Sequence, residues 1–269
     1  MAVIQTEQLT KVYRSKGRKI RALDKLNLKI ESGTVFGFLG RNGAGKTTTI
    51  KLLLGLLHPT KGSIEILEKK PSSTSIKKRI GYLPEISYLE KDFTGFQLLK
   101  FFGSFYSIER SKLEERIEGL MSKFGLLTYK DMDISQYSKG MMQKIAIIQA
   151  VLHDPELIIL DEPTAGLDPI SQNEIREFVK DRRKKGNTIF ISSHILGEVD
   201  ELADTMGVIH QGKLLRFGKK EKLLKFKEFY TFVIDNYKGE QISGYSISEN
   251  ESGEKIVHIP SKEKDKFLK

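Results

Sequence analysis

The segment Gly40-Arg41-Asn42-Gly43-Ala44-Gly45-Lys46-Thr47-Thr48 has the residue types and spacing to hold a chain of phosphates. Its outer glycines, Gly40 and Gly45, permit a tight turn whose backbone N–H groups converge on phosphate oxygens. A helix starting at the end of the turn adds the positive end of its dipole. Lys46 supplies a point charge for the β- and γ-phosphates, and Thr47 a hydroxyl for Mg²⁺. The flanks agree, with the short apolar run Val35-Phe-Gly-Phe-Leu39 before the turn and helical apolar spacing from Thr49 to Leu57 after it. A dinucleotide-binding loop is excluded, because G-x-G-x-x-G lacks the Lys-Thr pair.

A second stretch, Leu157-Ile-Ile-Leu-Asp161-Glu162-Pro163, is an apolar strand that ends in carboxylates. Such a strand delivers its carboxylate to the mouth of a parallel sheet, where ligands bind. Asp161 is placed to hold Mg²⁺ through water, and Glu162 to accept a proton from an attacking water or to orient it. Alone, the stretch also reads as a strand stopped by a capping Asp; the phosphate loop in the same chain favours the chemical reading. Tyr137-Ser138-Lys139-Gly140-Met141-Met142-Gln143 opens a helix with Ser138 as a natural N-cap.

The elements that must position these groups alternate. Val3, Ile4, Leu9 and Val12, then Leu26, Leu28 and Ile30, predict short strands around a basic turn at Ser15 to Arg18. Ile64, Ile66 and Leu67 predict another strand. From about Phe93 to Tyr129 the apolar spacing turns helical, with Leu98, Leu99, Phe102 and Phe105, then Leu113, Ile117, Leu120, Met121 and Phe124. This is a helical insert. Helices follow over 141–152, 170–184 and 195–203, and Leu157-Ile-Ile-Leu160 and Thr188-Ile-Phe-Ile191 read as strands buried on both faces. Strands alternating with helices imply an α/β core with a parallel sheet. The larger α/β domain is expected over 1–218, with its helical subdomain at about 87–150. Residues 219–269 are expected to form a small β-rich or mixed appendage, with a charged helix over 221–228, a strand from Tyr230 to Ile234, and Tyr245–Ser248 pairing with Lys255–Ile259 around a turn at Asn250 to Gly253.

At 269 residues the chain suits roughly two domain-sized units, and with 39% apolar and 30% charged residues it fills a core. No apolar run approaches the roughly 18 residues of a membrane span, and no secretory signal is expected at the N-terminus. With no Cys, disulfides and thiolate metal sites are excluded. The net charge of +10 suits nucleic acid, an anionic membrane face or a phosphate-rich ligand.

Taken together, the phosphate loop, the Ser138 helix, the Asp161-Glu162 strand, Gly166-Leu167-Asp168 and Ser192-Ser193-His194, in that order, resemble an ATP-binding-cassette (ABC) ATPase, the nucleotide-binding subunit of a transporter. The resemblance covers residues 2 to 217. It implies a P-loop NTPase fold of ABC type: a parallel-sheet core, an antiparallel β subdomain and a helical subdomain. It also implies ATP and Mg²⁺ as cofactors. It gives Tyr13 the place of an aromatic that stacks on adenine, with a strand-edge tyrosine as the lesser alternative, since aromatics are common in strands. It gives Ser138 and Gly140 the place of residues that reach the γ-phosphate of a partner's ATP, Asp168 that of a loop residue linking two sites, and His194 that of a switch contacting the γ-phosphate.

Departures from the family pattern are informative. The usual signature is Leu-Ser-Gly-Gly-Gln; here Tyr137 replaces the leucine, Lys139 the first glycine and Met141 the glutamine, and Gln143 follows two positions later. The loop after Gly81-Tyr82-Leu83-Pro84 offers Glu85 where Gln is usual. An acceptor-only carboxylate there is suited to bind Mg²⁺ directly or to hold the water. Both features resemble bacterial cassettes serving drug, peptide, lipid or sodium exporters.

One cassette carries half of each composite site, so the resemblance implies a head-to-tail pair around two ATP molecules, as a homodimer or with a second ABC ATPase. It also implies a separate membrane permease, docked on the helical insert with Phe96, Phe101, Phe102, Phe105 and Tyr106 and on the loop at Glu85, beneath the cell membrane on its cytoplasmic face. The alternative is a non-transport cassette acting on nucleic acid, ribosomes or cofactor assembly; the long coiled-coil insertion or second cassette of those proteins is absent here. The charge is concentrated: residues 11–29 hold eight basic residues against Asp24 alone. A solvated face is the default reading of such a run; among partners, an anionic leaflet, at roughly 1 kcal/mol per near-surface basic residue, explains it better than nucleic acid, and no direct nucleic-acid partner is expected.

Overall fold

In the computed structural model, residues 1–15, 18–223, 229–233, 241–242, 245–249 and 255–260 are described. The chain divides into two compact units, Met1–Lys220 and Glu221–Lys269.

The first unit opens with β1 (Ala2–Ser15) and β2 (Arg18–Glu31). These are two long strands rather than the short ones expected. The polar stretches from Lys11 to Ser15 and from Arg18 to Arg21 lack apolar alternation. Backbone pairing extends the ladder through them regardless, with Tyr13 opposite Ile20 and Ser15 opposite Arg18. Then come β3 (Val35–Leu39), α1 (Lys46–Leu53), β4 (Lys61–Ile66), α2 (Thr74–Lys77) and β5 (Ile80–Leu83). Helix α1 starts and stops earlier than Thr49 to Leu57. It takes in Lys46 directly after the glycine turn, and it ends at Leu53 because Gly55 turns the chain with φ 69°. Leu67 falls outside β4, in the turn that follows, with φ 49°.

The helical insert holds α3 (Gly95–Gly103) and α4 (Arg110–Lys123), followed by α5 (Lys139–Val151). The core resumes with β6 (Leu157–Asp161), α6 (Pro169–Lys184), β7 (Thr188–Ser193), α7 (Leu196–Leu202), β8 (Thr205–His210) and β9 (Lys213–Lys219). The sequence reading had no strands at β5, β8 or β9; β5 is only four residues long, β9 mixes apolar with basic residues, and β8 carries polar ends.

A six-stranded sheet in the order β5-β6-β7-β3-β8-β9 forms the core, parallel except for β9. Strands β2-β1-β4 make a separate antiparallel sheet. Strand β6 shows why its run is apolar throughout. Ile158 and Leu160 pack with the helical insert, while Leu157 and Ile159 pack with Phe36, Phe38 and Phe190 on the other face. Gly37 in β3 lets α7 come close, since a Cβ there would lie 2.2 Å from Val199 Cγ1. The architecture is the expected α/β one: parallel core, antiparallel sheet and helical insert.

The second unit follows α8 (Lys220–Leu223) with β10 (Phe229–Val233), β11 (Gln241–Ile242), β12 (Tyr245–Glu249) and β13 (Lys255–Pro260), ordered β10-β13-β12-β11. Strands β12 and β13 pair antiparallel. Ile234, the turn at Asn250 to Gly253 and the second half of the helix expected over 221–228 lie outside the described residues.

Candidate functional site

The site forms where β3, β6 and β7 end side by side, the carboxyl edge at which open α/β sheets bind ligands. Pairing sets the alignment. Leu39 lies opposite Ser193, and Asp161 opposite Ser192. The N–H of Gly40 donates to Ser193 O at 3.1 Å, which ties the phosphate loop to the end of β7. Gly45 turns the loop into α1 with φ 113°, and a Cβ there would lie 2.8 Å from Ala22 O. No side chain caps α1, so the first-turn N–H groups, which have no intrahelical partner, are left for an anion.

A cavity of about 280 Å³ lies over this turn, lined by Arg41, Lys46 and Thr47 together with Ala22, Glu85 and Glu162. Asn42, Gly43, Gly45 and Thr48 complete its loop wall. Lys46 is buried and donates to Gly40 O at 2.6 Å, while its Nζ lies 3.0 Å from Glu162 Oε1. The other carboxylate oxygen, Glu162 Oε2, is 2.8 Å from His194 Nδ1. Glu162 therefore stands between a lysine of the phosphate loop and the histidine after β7. Its backbone is held in the left-handed region, φ 50°, which costs a side-chain-bearing residue roughly 1–2 kcal/mol. Ser192 holds part of that geometry: the Glu162 N–H donates to Ser192 O at 3.2 Å and to Ser192 Oγ at 3.0 Å.

Asp161 is buried, accepts from Ser192 Oγ, and has an orphaned Oδ2. Burial pushes its carboxyl above the usual range, against the pull of the Ser192 and Thr47 hydroxyls. Tyr82 is pushed up to about 12, by burial first and then by Asp161 and Glu85. An unpartnered buried carboxylate oxygen near the Thr47 hydroxyl suits a hard cation, which usually takes one or two carboxylates and completes its shell with phosphate and water. Among the described residues, no three acidic or His side chains gather as a self-sufficient metal site.

Tyr13 stands at the flank of the cavity, its Oη 3.5 Å from Thr48 Oγ1. The Ser138 group gathers elsewhere. Ser138 caps α5 as expected, accepting from Met141 N at 3.2 Å. Lys139 Nζ donates to Gly166 O at 3.2 Å, Gln143 donates to Pro163 O at 3.0 Å, and Gly140 packs on Ser171 beside Asp168. Asp168 caps α6, and the backbone N–H of Ser171 holds its carboxyl below the usual range. None of Ser138, Lys139, Gly140, Gln143 or Asp168 lines the cavity.

Of the aromatic side chains on the insert, Phe101 and Phe105 are exposed and meet edge to face at 5.2 Å between ring centres. Phe96 and Phe102 pack against the core instead, and Tyr106 stacks on His153. The sequence reading gave Ser192 and Ser193 only as flanks of His194, and it missed Thr164 and Glu198. The signal for Glu198 was faint: one of three acids close together, a turn past His194.

Residues 23–165 match the family model described as ABC transporter. The bacitracin transport ATP-binding protein BcrA of Bacillus licheniformis is 42% identical over 216 residues, 79% of this chain and 68% of that one. The ABC transporter ATP-binding protein NatA of Bacillus subtilis is 38% identical over 78% of this chain and 87% of its own. The Nod factor export ATP-binding protein I of Sinorhizobium fredii is 36% identical over 86% and 68% respectively. Among solved structures, an ATP-binding subunit of an ABC transporter superposes with a TM-score of 0.74 at 28% identity, over 82% of this chain and 91% of that one. A dimeric post-hydrolysis cassette bound to ADP and Pi, at 23% identity, has the same fold with a TM-score of 0.74 over 80% and 98%.

Proposed function

The chain belongs to the ABC transporter family as an ATP-binding, ATP-hydrolysing subunit, and on that premise we propose how its residues divide the work. Gly40 to Thr48 cradle the triphosphate, Lys46 pairs with the β- and γ-phosphates, and Tyr13 flanks the base. Glu162 takes the proton of the attacking water. His194 holds Glu162 from its other oxygen and reaches the γ-phosphate. Thr47 and Asp161, with Glu85 across the cavity, would hold Mg²⁺, which when bound neutralises phosphate charge.

ATP-binding subunits of this family work with membrane permeases and dimerise. We propose a head-to-tail pair in which Ser138, Lys139, Gly140 and Gln143 of one copy complete the site of the other, with Asp168 beside them. The observation that carries the reading is the placement of Glu162 between Lys46 and His194, while the Ser138 group lines no part of the same cavity. The exposed Phe101 and Phe105 are the docking point for a permease. The subunit lies peripherally against the cytoplasmic face of the membrane, and the relatives' printed roles favour export. We further propose that 219–269 is a module distinct from the ATPase domain, 1–218, whose helical subdomain runs over about 87–150.

Purification from membranes with a crosslinker at Phe105 tests the arrangement. A polytopic membrane partner is expected, and recovery of only soluble or nucleic-acid partners would overturn it. In parallel, the hydrolysis rate should rise faster than linearly with protein concentration in the isolated subunit.

A further inference from the structure

Glu198 is a buried carboxylate that none of these roles uses. It stands in the first turn of α7, 8% exposed. Its Oε1 accepts from Thr164 Oγ1 at 2.6 Å, and its Oε2 accepts from Ser193 Oγ at 2.7 Å. Thr164 and Ser193 are buried as well. Ser193 Oγ has a second task, accepting from the Ile195 N–H at 3.0 Å. That bond shapes the chain on the far side of His194.

The two hydroxyls belong to the two segments that matter. Thr164 lies two residues beyond Glu162, and Ser193 directly precedes His194. One carboxylate thus spans the segments carrying the two side chains that face each other at 2.8 Å. The mount is stiff. Val199, next to Glu198, is pressed onto β3 at Gly37, so the carboxylate is fixed to the core sheet as well as to both loops. Glu162 also needs holding from outside, since its left-handed backbone persists only where surrounding structure over-determines it.

We propose that Glu198 is a positioning residue that holds Glu162 and His194 in register through Thr164 and Ser193, without touching ATP. The proposal rests on the ATPase reading for its effect on rate. Its effect on the two loops stands apart from that reading.

The test compares Glu198→Ala with Glu198→Gln, which keeps the shape and one acceptor and whose amide still donates to a hydroxyl. Misplacing reacting groups by about an ångström costs on the order of 100-fold in rate. Glu198→Ala is expected to lower kcat by about 10- to 100-fold with KM for ATP within about threefold, and Glu198→Gln to restore kcat to within about threefold of wild type. Amide hydrogen exchange over 162–168 and 192–196 is expected to rise together in Glu198→Ala and not in Glu198→Gln. That readout needs no turnover, so it decides the pin even in a protein that proves inactive. Wild-type kcat in Glu198→Ala, or exchange rising in only one of the two segments, would overturn the proposal. If Glu198→Ala fails to fold, the Thr164→Val/Ser193→Ala double variant takes its place, and wild-type kcat there overturns it equally.

Discussion

Lys46 and Glu162 hold each other 3.0 Å apart inside the cavity, although the proposed function gives each a separate task once ATP arrives. On the proposed roles, phosphate oxygens would compete with Glu162 for the ammonium. With Lys46 turned to them, the Glu162 carboxylate would be freed to accept a proton from water. The pair would then oppose nucleotide binding slightly and couple it to activation of the base.

Glu162→Gln should show both sides of that coupling. Loss of the base is expected to lower phosphate release by about 100- to 10,000-fold. The same change removes the competitor for Lys46, so titration with a fluorescent ATP analogue should show affinity unchanged or several-fold tighter. Hydrolysis retained at the wild-type rate would remove Glu162 as the base.

His194 is 2.8 Å from the other oxygen of Glu162 and is 42% exposed. Its exposure means that His194→Ala should shift Tm little, within the roughly ±0.5 kcal/mol usual for surface changes. Turnover should fall all the same, with kcat affected more than KM. Steady-state kinetics beside a thermal melt separates the two.

Much of this site was legible in the sequence because phosphate chemistry demands a fixed run of residue types. Gly40 to Thr48 and Asp161-Glu162 sit where the strand-turn-helix reading put them, at the ends of β3 and β6. What was not legible came from tertiary contact. The polar stretches around Arg14 and Lys19 carry no strand signal, yet pairing across the hairpin makes them strands. Strand β9 has half-exposed apolar residues such as Leu215 and Phe217 and gains its place from β8. Glu198 has no motif at all, and its meaning depends on Thr164 and Ser193, which lie 34 and 5 residues away in sequence.

Asp161 gives a prediction in pH. Burial raises its folded pKa above the unfolded value. Folding thus favours the protonated carboxyl, a contribution fully present below the unfolded pKa and lost as pH rises through the folded one. Asp161→Asn mimics the protonated form. It should raise Tm at neutral pH, by about 2–4 °C for each kcal/mol relieved, and the gain should shrink as the pH is lowered until wild type is protonated too. Melts from pH 4 to 8 without divalent cations check this. A gain that grows toward acid would contradict the direction.

Ser138 allows the trans assignment to be tested without disturbing the fold. Its hydroxyl already caps α5, so a change that removes the cap costs about 0.5–2 kcal/mol and confuses an interface effect with a folding effect. Ser138→Asp keeps a capping oxygen, and its charge suits a helix N-terminus. In the head-to-tail pair the same charge would face the γ-phosphate bound to the partner. Ser138→Asp should therefore melt at or above the wild-type temperature and bind ATP as a monomer with unchanged affinity. In the Glu162→Gln background it should fail to form the ATP-dependent dimer by sedimentation. If the dimer persists at wild-type strength, Ser138 does not face the partner's phosphate.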